Sequence, residues 1–152
     1  MPALSEIEFA LTVLSNGFDR WIVRCMAAAG YPGLSSIDVL ILHAVNHRAR
    51  AKSLADLCTM FNIEDTHVVA YAIKKLHGLG LIETGRRGKE KTVEATPAGT
   101  EACGRYRDIR EALLVASLKA MRFDDDALSE VAATMHALSG QYDQAARAAS
   151  SL

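Results

Sequence analysis

The residues of this 152-residue chain that could do chemistry are mainly basic, and they concentrate in its middle. Residues 43–92 hold nine lysines and arginines against five acidic residues, whereas the rest of the chain carries −5 within a net charge of −1. Such an uneven distribution is typical of a localised surface that binds phosphate groups. The basic residues of this segment are Arg48, Arg50, Lys52, Lys74, Lys75, Arg86, Arg87, Lys89 and Lys91.

Two histidines and three cysteines are the other groups with possible chemistry. His43 and His47 stand four residues apart, which places both imidazoles on one helical face, as a metal site requires. No acidic residue accompanies them, so metal sensing is kept as an alternative and we assign no metal ligands. Cys25, Cys58 and Cys103 are too widely spaced for a metal knuckle or a disulfide framework.

Cys25 has two interpretations. It continues an apolar stripe, and a free cysteine is most often a small buried hydrophobe, which makes packing the preferred role. Oxidation sensing at Cys25 is the alternative.

The sequence contains no enzyme motif. There is no phosphate-binding loop, no nucleophile elbow and no tight cluster of His, Asp and Glu beyond the histidine pair. We therefore expect no enzymatic activity, no catalytic residue and no cofactor.

Two short helices are predicted around the basic segment. In residues 53–61, Ser53 can cap a helix whose apolar residues recur at helical spacing. Asp65 can cap a second helix, which Gly78 and Gly80 terminate. Because few residues join them, these helices must cross steeply, as in a helix-turn-helix.

A basic hairpin is predicted directly after the second helix. The strand-like runs 81–84 and 92–95 flank residues 85–91, a glycine-flanked basic tip. Thr96 and Pro97 then begin another helix. A hairpin in this position makes the helix-turn-helix a winged helix.

Long helices are predicted at both ends of the chain. The first, residues 5–29, carries an apolar stripe that a small core cannot bury completely. The helix that follows it, residues 37–47, is apolar nearly all round and is therefore expected to be buried. The final helix has apolar residues at 3-4 spacing, namely Leu128, Val131, Met135, Leu138, Tyr142 and Ala145. Such seams indicate helices that pair in a homodimer.

The predicted fold class is therefore mainly α with a small β-wing, a winged helix-turn-helix flanked by N- and C-terminal dimerisation helices. The predicted segments are an N-terminal dimerisation helix in 1–30, the DNA-binding domain in 34–97, and C-terminal helices completing the dimerisation region in 98–152.

This order of elements resembles the MarR family of bacterial transcription regulators over nearly the whole chain. The resemblance is carried by the motifs Ser53-Leu-Ala-Asp-Leu57, Leu79-Gly-Leu-Ile82 and Thr96-Pro-Ala-Gly99 around the wing. It implies a regulator, more often a repressor, that binds a pseudo-palindromic operator as a homodimer. The placement of Cys25 is also similar to that of the reactive cysteine in a peroxide-sensing branch of the family.

The candidate DNA contacts lie on the second helix and on the wing. Hydroxyl, imidazole and ammonium groups near the start of the helix can reach base edges or phosphates. These candidates are Thr66, His67, Ala70, Tyr71 and Lys74. In the wing, the resemblance implies minor-groove or phosphate contacts for Arg86, Arg87 and Lys89, although the usual Asp-x-Arg pair of MarR wings is missing.

The resemblance further implies a cleft for a small-molecule effector between the dimer helices and the winged helix. Trp21, Arg24, Tyr31 and His43 are the candidates to line it, and interface packing is the alternative role for each. Binding there would change the spacing of the two recognition helices.

The expected partners are double-stranded DNA, a second copy of the chain and a small effector. No apolar run approaches the roughly 18 residues of a membrane span, and Glu6 and Glu8 stand where a signal peptide needs positive charge. We therefore expect a cytoplasmic protein without membrane contact. The alternative function is a winged-helix protein-interaction module, which would be expected to carry an apolar wing tip rather than a basic one.

Overall fold

The computed structural model describes all residues from Met1 to Leu152. Its elements are α1 (Pro2–Ala28), α2 (Ser36–Asn46), β1 (Lys52–Ser53), α3 (Leu54–Phe61), α4 (Thr66–Gly78), β2 (Ile82–Arg87), β3 (Glu90–Ala95), α5 (Pro97–Arg110), α6 (Ala116–Ala120) and α7 (Asp125–Ala149). A 3₁₀ turn, His47–Ala49, follows α2, and a π turn, Glu111–Val115, separates α5 from α6. The predicted fold class, mainly helical with a small wing, is confirmed.

The chain forms two compact units. The first, Met1–Arg110, contains α1 to α5 and the sheet, and the second, Glu111–Leu152, contains α6 and α7. The end of α1 belongs to the first unit because Ile22, Cys25 and Met26 are buried in its core. None of the helices has the long apolar stretch that crossing a bilayer demands.

The core of the first unit is built around α2. This helix buries residues on nearly every side, as its composition predicts, and α1, α4, α5 and β3 pack against it. Ser35 caps it through a capping box with Asp38: the Asp38 amide donates to Ser35 Oγ (3.3 Å), and the Ser35 amide donates to Asp38 Oδ2 (2.8 Å). The start of α2 is thereby fixed at a buried carboxylate.

The wing belongs to a three-stranded antiparallel sheet of order β1-β3-β2. The predicted strands 81–84 and 92–95 were too short, because β2 continues to Arg87 and β3 begins at Glu90. Only Gly88 and Lys89 remain between the strands, with Gly88 at a positive φ of 65°. Exposed strand pairs need no apolar side chains, which explains why Gly85 and its basic neighbours resemble a loop in sequence.

The connection from the wing to α5 is a tight polar corner. Thr96 Oγ1 donates to the Gly80 carbonyl (2.6 Å) and accepts from the Gly99 amide (3.1 Å). Gly99 is buried so closely against Leu81 that an added Cβ would collide with the Leu81 carbonyl. This position therefore needs glycine for a steric reason.

We expect Gly99→Ala to lower the free energy of unfolding by about 2 kcal/mol, since overpacking against backbone forces a shift of the chain. Gly104→Ala in the same helix is the matched control: its Cβ would meet only the end of the Arg107 side chain, at 3.7 Å. That control should be neutral or stabilising by about 0.5–1 kcal/mol because alanine is the better helix former. Urea denaturation followed by circular dichroism measures both, and equal stability of the two variants would refute the steric role of Gly99.

Candidate nucleic-acid interface

The helix-turn-helix is formed by α3 and α4, each with its own side-chain cap. The predicted cap at Ser53 is confirmed as a capping box with Asp56, with distances of 2.9 and 3.0 Å. Asn62 ends α3 in the left-handed region, at a φ of 54°. The predicted cap at Asp65 is also confirmed, since its Oδ1 accepts from the His67 amide at 2.9 Å.

One face of α4 is buried and the other is open to solvent. Val69, Ala72 and Leu76 lie in the core, which fixes the helix against the rest of the unit. All five predicted contact residues are exposed: Thr66, His67, Ala70, Tyr71 and Lys74. Tyr71, the largest of these side chains, is 71% exposed. The exposed face can therefore meet a DNA groove.

The wing displays cations, but its arginines differ in their surroundings. Arg86 and Lys89 are exposed. Arg87 Nη2 lies 3.2 Å from Glu90 Oε2 and 3.5 Å from Asp56 Oδ2, so it joins the wing to the first turn of α3. Asp56 and Arg87 are 31 residues apart, so no local sequence pattern predicts this brace.

Hydrogen bonds and neighbouring charges shift the pKa values of Asp56 and Arg87 in the directions that favour their charged forms. Hydrogen bonds from Ser53, followed by the interaction with Arg87, hold the pKa of the Asp56 carboxyl below its usual range. Glu90, and then Asp56, raise the pKa of Arg87. Both partners are solvent-exposed, so the brace contributes little to stability.

A cavity of about 500 Å³ lies in the first unit between α1, α2 and α5. Its lining residues are Phe18, Ile22, Leu40, His43, Asn46, His47, Cys103, Tyr106, Arg107 and Arg110. Of the four predicted cleft residues, only His43 lines this cavity. Trp21 and Tyr31 pack against the core instead, and Arg24 is exposed. The cationic groups at the cavity come from α5, which sequence analysis did not consider.

Burial favours the neutral form of His43 within this cavity. Its ring contacts Tyr106 edge to face with centroids 4.4 Å apart, and its buried Nε2 has no hydrogen-bond partner in the protein. Burial, followed by the charge of Arg110, lowers the pKa of His43.

The alternative sensing roles receive little support from the geometry. The structure brings no third His, Cys, Asp or Glu to the His43 and His47 pair that could complete a metal site. Cys25 is buried, its thiol donates to the Tyr106 carbonyl at 3.6 Å, and burial raises its pKa. Burial also raises the pKa of Cys103 to about 11. Protonated buried thiols react slowly with oxidants.

Comparison with known proteins supports a winged helix. Residues 34–99 match the family described as "Winged helix DNA-binding domain". No curated protein matches the chain.

Solved structures share the fold over nearly the full length. A MarR transcriptional regulator from Methanosarcina mazei Go1 is 19% identical, with a TM-score of 0.70 over 92% of this chain and 98% of that one. NMB1585, a MarR family regulator from Neisseria meningitidis, is 16% identical, with a TM-score of 0.74 over 95% and 96%. CouR from Rhodococcus jostii RHA1, solved bound to p-coumaroyl-CoA, is 14% identical, with a TM-score of 0.70 over 87% and 90%.

The lowered pKa of His43 predicts a loss of stability in acid. Below pH 6.5, the ordinary pKa of histidine, His43 binds a proton in the unfolded chain more readily than in the folded protein. The free energy of unfolding therefore falls as the pH decreases through this pKa. We expect His43→Gln to weaken this fall between about pH 7.5 and 5. Denaturant titrations of both proteins at several pH values measure it, and parallel curves would show that His43 titrates normally.

Proposed function

The chain has the fold of the MarR family and carries a winged helix DNA-binding domain, and from this premise we propose that it is a transcription regulator that binds DNA as a homodimer. The observation that carries the proposal is the pairing, within one compact unit, of a solvent-exposed face on α4 with a basic wing. In winged helices the recognition helix, here α4, enters the major groove. The cations of the wing contact phosphates or the minor groove.

The chemistry of the wing favours DNA over a protein partner. Its turn consists of Gly88 and Lys89, and the strand ends beside it carry Arg86 and Lys91, all exposed. An interface with a protein partner would be expected to have an apolar centre, which this tip does not offer. Phosphate contacts supply sequence-independent affinity, so we assign this role to Arg86 and Lys89.

Sequence preference is assigned to the exposed face of α4. Thr66, His67 and Tyr71 can each donate and accept hydrogen bonds, whereas Lys74 can reach phosphate. None of them is an arginine, asparagine or glutamine, the residues that make strong bidentate base contacts. We therefore propose moderate base selectivity, assisted by DNA shape.

Exposed apolar seams on α1 and α7 support the homodimer. On α1, Ile7, Leu11, Leu14 and Phe18 are each at least 42% exposed in the single chain. On α7, Leu128, Val131, Met135 and Tyr142 are at least 41% exposed. Monomers rarely expose so many regularly spaced apolar side chains, and a second copy would bury them.

A symmetric dimer would present two recognition helices to two half-sites about one helical turn apart, which is a pseudo-palindromic operator. A dimer bound there excludes other proteins from the same DNA. We therefore propose repression as its mode of regulation.

The cavity beside His43 is the proposed site of the effector. Its volume of about 500 Å³ suits a small organic molecule. Arg107 and Arg110 at its wall favour an anionic group. Because α2 forms part of this wall and also supports α4, occupancy can bias the position of the recognition helix.

Substitutions in the wing and in α4 should affect binding differently. We expect Arg86→Ala and Lys89→Ala to weaken binding to every duplex and to reduce the salt slope by about one each. His67→Ala and Tyr71→Ala should reduce the preference for a duplex selected by the wild-type protein from a randomised pool. Arg87→Ala should resemble the wing variants with a smaller change in slope, because Arg87 also contacts Glu90 and Asp56.

Fluorescence anisotropy on the selected duplex and on random duplex at several salt concentrations separates the two effects. Arg105→Ala, an arginine on α5 outside the helix-turn-helix and wing, is the control for loss of a charge. Equal losses on both duplexes for all of these variants would contradict the division of roles.

The homodimer is tested on α1. Leu14→Glu places a charge in the exposed seam, and it should weaken the dimer at least about a hundredfold because an unpaired charge would be buried in the interface. Asn16→Glu, on the opposite side of the same helix, should leave it dimeric. Sedimentation equilibrium measures both. A monomeric wild-type protein at micromolar concentration, or two variants that dimerise equally, would exclude this seam as the interface.

A further inference from the structure

A half-buried ion pair connects the recognition helix to the start of α2. Lys75 Nζ lies 2.8 Å from Asp38 Oδ2 and also donates to the Gly33 carbonyl at 2.9 Å. The Asp38 side chain is 2% exposed, whereas that of Lys75 is 35% exposed. Lys75 therefore extends from α4 toward the start of α2, although its charge and position in the sequence resemble those of a DNA contact.

The acceptor side of this contact is rigid. Asp38 belongs to the capping box of α2, so the Oδ2 atom that receives Lys75 also receives the Ser35 amide. The second acceptor, Gly33, lies in the short connection between α1 and α2. A lysine paired with a carboxylate that the capping box holds in place is directed toward that carboxylate, whereas apolar packing is non-directional.

His67, Tyr71 and Lys75 follow one another at intervals of four residues and therefore lie along one face of α4. This face borders a second cavity of about 500 Å³, lined by these three residues together with Ser35, Asp38 and Asp65 among others. Val69, Ala72 and Leu76 hold the opposite side of α4 in the core, so this open groove leaves room only for a small rotation of the helix about its axis. An ion pair at Lys75 would limit that rotation.

We propose that Lys75 is a positioning residue that sets the rotation of the recognition helix and so directs His67 and Tyr71 at the bases, and that it does not contact phosphate. This inference rests on the proposed DNA-binding function. The neighbouring Lys74, which is exposed, has the complementary role of a phosphate contact. Sequence selectivity thus depends on a lysine that lies outside the protein–DNA interface.

The test compares Lys75→Met with Lys74→Met on two duplexes, one selected by the wild-type protein from a randomised pool and one random. Lys75→Met should lower the ratio of the two affinities about tenfold, the effect of one weakened base contact, with an unchanged salt slope. Lys74→Met should weaken binding to both duplexes and reduce the slope by about one. Lys75→Arg should recover part of the selectivity, because it restores the charge.

Asp38→Asn is the second variant, and it is the more discriminating one. Asp38 is buried at the far end of the ion pair, so its substitution cannot remove a DNA contact. An asparagine can still accept from the Ser35 amide, which retains much of the cap and favours a folded variant. The proposal requires the same loss of selectivity as in Lys75→Met. Unchanged selectivity in Asp38→Asn, or a reduced salt slope in Lys75→Met, would overturn it.

An NMR readout separates this inference from the proposed function. In the free protein, Lys75→Met should shift the backbone amide resonances of residues 66–72, whereas Lys74→Met should affect only its immediate neighbours. If the wild-type protein binds no DNA, the proposed function fails, and the amide shifts still decide whether Lys75 orients the helix. Equal and local shifts in the two variants would refute the positioning role.

Discussion

The burial of α2 is the constraint on which the rest of the molecule depends. Val39, Ile41, Leu42 and Val45 are almost completely removed from solvent, and each contributes about 1.5–3 kcal/mol. Because α1, α4, α5 and β3 all pack on this helix, it is at once the wall of the His43 cavity and the support of the recognition helix. A close-packed interior transmits displacement rather than absorbing it. One buried helix thus contacts both the proposed effector cavity and the proposed DNA-reading helix.

Three acidic residues near the proposed DNA interface cap helices, and two of them also form ion pairs. The surface around them is therefore basic, although the chain has almost no net charge. Asp65 caps α4, Asp56 caps α3 and pairs with Arg87, and Asp38 caps α2 and pairs with Lys75. Each carboxylate satisfies backbone amides at a helix N-terminus, where negative charge is favoured. The exposed cations of α4 and the wing are therefore not all neutralised by their own neighbours, which is the condition for attracting phosphate.

The sequence predicts what depends on local chemistry. Helical periodicity and capping residues identified α2, α3 and α4, and the order of elements identified the winged helix. Contacts between residues distant in sequence could not be predicted, because they depend on how the elements pack. They are the ion pairs of Lys75 with Asp38 and of Arg87 with Asp56, and the shared cavity of His43, Arg107 and Arg110. The two-residue strand β1 was missed because it exists only through pairing with β3. The wing strands were predicted too short because residues 85–91, which are glycines and charged residues, have the composition of a loop.

The central claim is that this fold is used to bind DNA in a sequence-dependent manner as a dimer. The most direct measurement is an anisotropy titration of the unmodified protein against a duplex selected from a randomised pool and against random duplex, at two salt concentrations, with the molecular mass determined by sedimentation. The account predicts a dimer that prefers the selected duplex and loses affinity for both as salt increases. A well-folded protein that binds neither duplex at low salt would contradict it.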